Sequence, residues 1–371
     1  MKFIFSGGGT GGHIYPAITL IENIKERDPK AQMLYVGTAK GLEADIVPKA
    51  DIPFRTIDIE GFARHITLKN FVVLGKAVAG VMKARSILKE YRPDAVVGTG
   101  GYVSGPLLLT ASLMGIPTLI QDQNAIPGIT NKILARFVSK IACGYESARV
   151  HFPPAKTVLT GNPIRKDVLR YSRSEAVQEL GLSKTKKTVL ITGGSRGARR
   201  INEAMPAVYK QYFNNEAVQF LHVTGRGEYQ NVINSMKAYN VDLEKADNIF
   251  IKPYLYNMPM ALAAADITVA RAGAIGLAEV TARGIPSILV PYPYAAENHQ
   301  EFNARALVEK KAAVMILNSE LTGQRLLKEL TDLLLSEEKM KTMALASKTM
   351  GHPEAAANIT DMILAMVVSK A

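Results

Sequence analysis

The sequence predicts an α/β protein built from two doubly wound parallel sheets, one in each half of the chain. Three observations carry this. Short apolar runs alternate with longer amphipathic stretches. Several of those runs end in glycine-rich turns. The pattern of the first half then returns in the second.

The runs "KFIFSG", "MLYVG", "AVVGTGG" and "PTLIQDQ" are short and apolar, with helical periodicity between them. This is a βαβ pattern, which implies parallel sheets covered by helices on both faces. "FIFSGGGTGG" from Phe3 is echoed by "VLITGGSRGA" from Val189, 186 residues later. "DAVVGTGG" from Asp94 and "DITVARAG" from Asp266 both end in a glycine turn, and each leads through a helix to "GIPTLIQ" or "GIPSILV". Two Rossmann-like domains facing across a cleft explain these echoes. In such folds ligands bind beyond the C-terminal ends of the strands. Gly161 and Pro163 in "LTGNPIRKDV" break the pattern. We therefore expect an N-terminal domain at 1–162 and a C-terminal domain at 163–349. A last helix, at about 350–371, is expected to pack back on the first.

The 371 residues suffice for two cores, and 47% hydrophobic with 21% charged residues is ordinary globular composition. The lone Cys143 excludes an intrachain disulfide and any cysteine-based zinc site. No apolar run reaches about 18 residues, so no membrane span is expected. Nor does the N-terminus read as a signal peptide, and a cytoplasmic protein is expected. The net charge is +12. Between Phe62 and Arg92 seven Lys/Arg face the single acid Glu90. Such a basic surface suits nucleic acid, an anionic membrane or an anionic substrate. The aromatic residues form no RNA-binding pattern, which argues against nucleic acid.

Four glycine turns stand out: "GGGTGGH", "GTGGYVSG", "TGGSRGAR" and "ARAGAIGLAE". Tight β–α turns use glycine in any case. A strand that ends in glycines and opens a helix also makes an anion site, because the backbone approaches closely and the helix start offers unpaired N–H groups. Gly7, Gly9 and Gly12 satisfy G-x-G-x-x-G, which alone is weak. The dinucleotide reading also needs an acid at the tip of the second strand, and that strand ends in Gly37-Thr38. There is no P-loop. Two phosphate-bearing ligands, one per half, fit the four turns.

His13 follows the first glycine loop. A lone His at a helix start also serves in capping or packing, but a neutral imidazole can act as a base near pH 7, as deprotonation of a sugar hydroxyl requires. Glu279 falls one and a half turns into the fourth-loop helix. It reads either as a surface residue or as a carboxylate for two ribose hydroxyls. "ENHQEFNA" follows a proline-rich strand exit, where loops carry function. No metal constellation is visible.

Together, "GGGTGGHIYPA", "GTGGYVSGP", "QNAIPG", "TGNPIR", "GGSRGAR", "RAGAIGLAE" and "NHQEFNA" resemble, in order and over nearly the whole chain, the motif set of the bacterial MurG family. These are glycosyltransferases of the two-domain GT-B fold. The resemblance implies transfer of N-acetylglucosamine from UDP-GlcNAc to the muramyl 4-hydroxyl of undecaprenyl-diphosphate lipid I, with inversion and with neither cofactor nor essential metal. It places the donor on Thr10, Gly11, Gly12, Asn124, Arg165 and Ser195. It further assigns to the donor Leu255, Arg271, Gly273, Ala274, Ile275, Gly276, Leu277, Ala278, Glu279, His299 and Gln300. The acceptor diphosphate falls to Gly9, Gly100, Gly101, Tyr102 and Ser104, with His13 as candidate general base. Arg196, where the family often has Gln, and His299, where some members have Gln, depart from the pattern.

A lipid acceptor also gives the basic segment a purpose. "NFVVLGKAVAGVMKARSILKEY" sets Phe71, Val72, Leu74, Val78, Val81, Met82 and Leu88 among cations, with Lys69, Lys76, Lys83 and Arg85 as the membrane-facing charges. A plain surface helix reads the same way. Lys/Arg at an anionic leaflet contribute roughly 1 kcal/mol each, so peripheral attachment to anionic lipids of the inner leaflet is expected. Two other functions share much of this sequence: a diacylglycerol glycosyltransferase of the same fold, and a UDP-sugar sensor without turnover.

Overall fold

The computed structural model describes residues 1–59, 69–194 and 196–368, and the side chains of the helix that begins at Lys69 only from Val78 onward. Ser195 and the side chains of Lys69, Phe71, Val72, Leu74 and Lys76 therefore lie outside the described residues. The chain divides into two compact units, Met1–Ile164 with His352–Ala371, and Arg165–Gly351.

The first unit runs β1 (Lys2–Gly7), α1 (Gly11–Arg27), β2 (Gln32–Gly37), α2 (Glu43–Lys49), β3 (Phe54–Thr56), α3 (Lys69–Tyr91), β4 (Ala95–Gly100), α4 (Ser104–Leu113), β5 (Thr118–Asp122), α5 (Ile129–Leu134), β6 (Lys140–Cys143) and β7 (Thr157–Leu159). Its seven strands pair in the order β3-β2-β1-β4-β5-β6-β7, all parallel. The inner strands are buried on both faces, so their apolar residues divide between two cores. Phe3 and Phe5 pack with Ile14, Ile18 and Ile21 of α1 on one side. Ile4 packs with Ile87, Leu88 and Leu108 on the other. Leu88, read from sequence as part of an exposed apolar stripe, is thus a core residue. Val78 and Met82 are exposed. Burial pushes the Cys143 thiol up to about 12, which leaves it a packing residue.

The second unit runs α6 (Arg173–Glu179), β8 (Lys187–Thr192), α7 (Arg199–Gln211), β9 (Val218–Val223), α8 (Tyr229–Ala238), β10 (Ile249–Lys252), α9 (Met258–Ala264), β11 (Ile267–Ala270), α10 (Ala274–Arg283), β12 (Ser287–Leu289), α11 (His299–Glu309), β13 (Ala313–Met315), α12 (Gly323–Leu334) and α13 (Glu337–Thr349). Its sheet order is β10-β9-β8-β11-β12-β13, again all parallel. The closing helix α14 (Ala355–Val368) belongs to the first unit, where Ile359 and Ile363 join the core under α1 and Asp361 pairs with Arg27.

In both sheets the strand order reverses at the middle, between β1 and β4 and between β8 and β11. At such a switch point the two following loops diverge and leave a crevice. The four glycine turns are the four loops at these two points.

His222 lies at the core of the second sheet. Tyr209 O–H donates to its Nδ1 at 2.8 Å, and its Nε2–H donates to Asn202 Oδ1 at 2.9 Å. Burial pushes its pKa down to about 3. The unfolded chain therefore takes up a proton below about pH 6.5 that the folded chain refuses. Stability is fully present above that pH and falls as the pH drops, by roughly 3 kcal/mol between pH 7 and pH 4. Urea unfolding across that range is expected to show a steeper loss for the native chain than for His222→Gln. Parallel losses would mean that other groups govern acid unfolding.

Candidate active site

In the first unit, β1 delivers the chain into Gly8 and Gly9, and α1 opens at Gly11 after Thr10. The loop is held against its neighbour after β4. Gly8 N–H donates to Gly100 C=O at 3.2 Å. Gly101 lies on Gly8 so closely that a Cβ there would stand 2.5 Å from the Gly8 oxygen, at a φ of +82°. Only glycine fits.

His13 sits in the first turn of α1, half-buried against Gly100, where a Cβ would come within 2.9 Å of its ring. Thr99 Oγ1 donates to the His13 carbonyl at 2.6 Å and ties the helix start to β4. The His13 Nδ1 lies 2.9 Å from Gly8 C=O. A carbonyl only accepts, so Nδ1 carries the proton and Nε2 keeps its lone pair. Burial holds the ring below the usual histidine range, opposed by the Gly8 bond and by the charge of Glu43. His13 is therefore a neutral imidazole with a fixed tautomer, the state a base at neutral pH needs.

Other expected acceptor residues behave differently. Gly9 turns its N–H inward onto Glu43 Oε2 at 3.1 Å and does not offer it outward. Ser104 is buried, and its hydroxyl donates to Gly101 C=O at 2.8 Å, so it closes the turn rather than facing a ligand. Tyr102 is exposed. Gly11 and Gly12 lie in the first turn of α1, where N–H groups have no intrahelical partner. Asn124 is set by Asp122, which accepts from Asn124 N at 3.1 Å and from Asn131 Nδ2 at 2.7 Å.

Sequence reading found no acid at the tip of the second strand. The structure brings one there: Glu43, the first residue of α2, reaches back to Thr38. It faces the glycine loop and is wholly buried, so it is not presented to a ribose.

In the second unit, α10 starts at Ala274 with open space above Gly273 and Gly276. Its first N–H groups, on Ala274, Ile275 and Gly276, point out of the helix start, where an anion is favoured. Leu277 is a core side chain, so only its backbone can serve a ligand, and Ala278 is half-buried. Glu279 is not a surface residue but is 7% exposed. Arg165 Nε and Nη2 lie 3.1 and 3.0 Å from its Oε1. Burial raises the Glu279 carboxyl, and Arg165 pulls it back. Leu255 packs partly buried against the core beside α9.

Arg271, expected at the donor, directs Nη1 to Val290 C=O, Pro291 C=O and Asn318 Oδ1 at 3.0, 3.0 and 2.9 Å. It ties the end of β11 to the exit of β12. The same exit is held by Gln300, whose Oε1 accepts from Tyr292 N at 2.9 Å. Glu297 and Asn298 take left-handed φ of 52° and 54° to kink the chain into α11, which begins with His299 and Gln300. Strained backbone of this kind gathers at functional loops. His299 Nδ1 donates to Ala296 C=O at 2.7 Å.

Two parallel α/β units, each with glycine loops at its switch point, define a nucleotide-sugar enzyme of the GT-B type. A model described as the glycosyltransferase family 28 N-terminal domain matches residues 3–143, and one for the family 28 C-terminal domain matches 188–359. A protein of Desulforamulus reducens named UDP-N-acetylglucosamine--N-acetylmuramyl-(pentapeptide) pyrophosphoryl-undecaprenol N-acetylglucosamine transferase is 50% identical over 97% of both chains. The protein of that name from Bacillus subtilis is 45% identical over 98% of this chain and 99% of its own. A crystal structure of Acinetobacter baumannii MurG superposes with a TM-score of 0.78 at 28% identity, covering 98% of this chain and 99% of that one. The chain belongs to glycosyltransferase family 28, and within it to the MurG group.

Proposed function

We propose that the chain transfers N-acetylglucosamine from UDP-GlcNAc to the 4-hydroxyl of the muramyl sugar of lipid I, releasing UDP and forming lipid II. The observation that carries this is identity of 45–50% to relatives of that printed activity along nearly their whole length. The site supplies roles for its residues. His13 Nε2 takes the hydroxyl proton as the oxygen attacks the anomeric carbon in line, with inversion. The start of α10 stabilises charge on the departing UDP through backbone N–H groups, a means that needs no metal. Glu279 and Arg165 hold the donor, and the glycine loops after β1 and β4 hold the acceptor diphosphate. The test is transfer of labelled N-acetylglucosamine to a short-chain lipid I analogue in EDTA. Label in a disaccharide lipid supports donor, acceptor and metal independence together. UDP-GlcNAc binding without transfer would sink the acceptor assignment.

The same reading makes the protein a peripheral membrane protein that needs no nucleic acid. No helix among the described residues is long and apolar enough to cross a membrane. Support for attachment comes from a surface that periodicity alone did not single out. Ile129, Ile133 and Phe137 are 63, 60 and 47% exposed, and Lys132, Arg136 and Lys140 lie between and beside them. They lie on α5 and just after it, and α5 packs on α4, as does α3, which carries Val78, Met82, Lys83 and Arg85. Apolar side chains rimmed by cations suit an anionic leaflet. Cosedimentation with phosphatidylglycerol vesicles is expected to weaken about tenfold in Ile133→Glu. Equal binding to neutral vesicles, or no change in the variant, would count against this surface.

A further inference from the structure

Glu43 has no exposed surface. Burying a carboxylate is costly unless donors surround it. Here Thr38 N and Thr38 Oγ1 donate to Oε1 at 3.0 and 2.7 Å, and Gly9 N donates to Oε2 at 3.1 Å. Gly8, Gly37 and Gly41 wrap it so tightly that a Cβ on any of them would overlap it. The glycines of two turns thus enclose one acidic side chain under the first loop.

The decisive feature is a single peptide group. Gly9 N–H, which reaches Glu43, and Gly8 C=O, which reaches His13, belong to the same peptide. In a trans peptide these two groups point in opposite directions. With glycine on both sides, and Gly9 at φ +82°, the chain itself resists a flip of this peptide only weakly.

The geometry points to Glu43 as a positioning residue for the reaction: it locks the Gly8–Gly9 peptide and through it the tautomer of His13. A flipped peptide would turn an N–H toward His13 Nδ1. The ring would then carry its proton on Nε2 and lose the lone pair that accepts the substrate proton. A carboxylate on the N–H also polarises the peptide and strengthens the C=O as acceptor. The Glu43 charge acts on the His13 ring and opposes the effect of burial. Tyr35, the other titratable group at the loop, donates its hydroxyl to Gly7 C=O. This inference rests on the reading of His13 as the base.

The experiment is Glu43→Gln, which keeps the volume but sets an amide N–H against Gly9 N–H. The expected result is a kcat lowered about ten- to a hundredfold, with KM for UDP-GlcNAc unchanged. The acidic limb of the rate profile should move to lower pH, because the charge that favours His13 protonation is gone. Nitrogen NMR of the ring should show Nδ1–H alone in the native protein and a tautomer mixture in the variant. A variant with native kcat and an unmoved limb overturns the proposal. If Glu43→Gln does not fold, Thr38→Val keeps the carboxylate and removes one donor. A several-fold fall in kcat with some Nε2–H tautomer is then expected, and no change in either overturns the proposal. His13→Ala separates the two readings. Unchanged turnover there ends the base assignment itself, whereas loss there with a native Glu43→Gln overturns only the positioning role.

Discussion

His13→Ala is expected to lower kcat by two to four orders of magnitude while leaving affinity for UDP-GlcNAc intact. General-base catalysis contributes effects of about that size. The loss should fall on kcat because the ring acts on the acceptor hydroxyl as the bond forms and not on the bound donor. The pH dependence follows from burial. His13 titrates below the usual histidine value, and a base works only when unprotonated. The native enzyme is therefore expected to run at full rate at pH 7 and to lose activity only as the pH falls through the lowered His13 pKa. In His13→Ala that acidic limb should vanish. Folding costs little, since the substitution leaves one Gly8 carbonyl without its partner, worth about 1 kcal/mol. Turnover equal to the native enzyme would remove His13 from catalysis.

Glu279→Gln is expected to raise KM for UDP-GlcNAc about ten- to a hundredfold, with a smaller effect on kcat. Hydrogen bonds to a charged partner contribute about 1.5–3 kcal/mol each. Replacing Arg165 gives a sharper result. Glu279 is buried and its carboxyl is already raised, and Arg165 is the main influence lowering it. Without the guanidinium, Glu279 should protonate at higher pH, so donor KM in Arg165→Met should climb as the pH falls through the range where the native enzyme is flat. Isothermal titration of UDP-GlcNAc at pH 8 and pH 6 reads this directly. A donor affinity that stays pH-independent in Arg165→Met would mean that Glu279 does not act on the donor as a carboxylate.

The parallel sheets were legible because the inner strands bury both faces and so read as short apolar runs. Phe3, Ile4 and Phe5 show why, since consecutive residues serve two separate cores. The glycine turns were legible because glycine was the visible residue at each strand exit. What they enclose was not. The tip of the second strand, at Gly37-Thr38, was the expected place for an acid. The acid is Glu43, which arrives from the next helix by a fold of the chain. Strand-end spacing cannot see such a return. The sequence likewise shows nothing of how Arg271 is anchored, with its Nη1 directed at three oxygens of its own unit. Leu88 carries the same lesson for apolar residues: on an amphipathic helix only packing decides which of them face the core.

The return of α14 to the first unit has a consequence for biosynthesis. The first 164 residues leave the ribosome with the outer face of α1 uncovered, since Ile359 and Ile363 belong to the last stretch of chain. At about 5–20 residues per second, the nascent N-terminal unit waits roughly 10–40 s for its closing helix. The second unit, continuous in sequence, can complete its core first. A stop codon or protease cut just before Ala355 thus strikes the unit that was begun first, by stripping an apolar face that no other segment of that unit replaces.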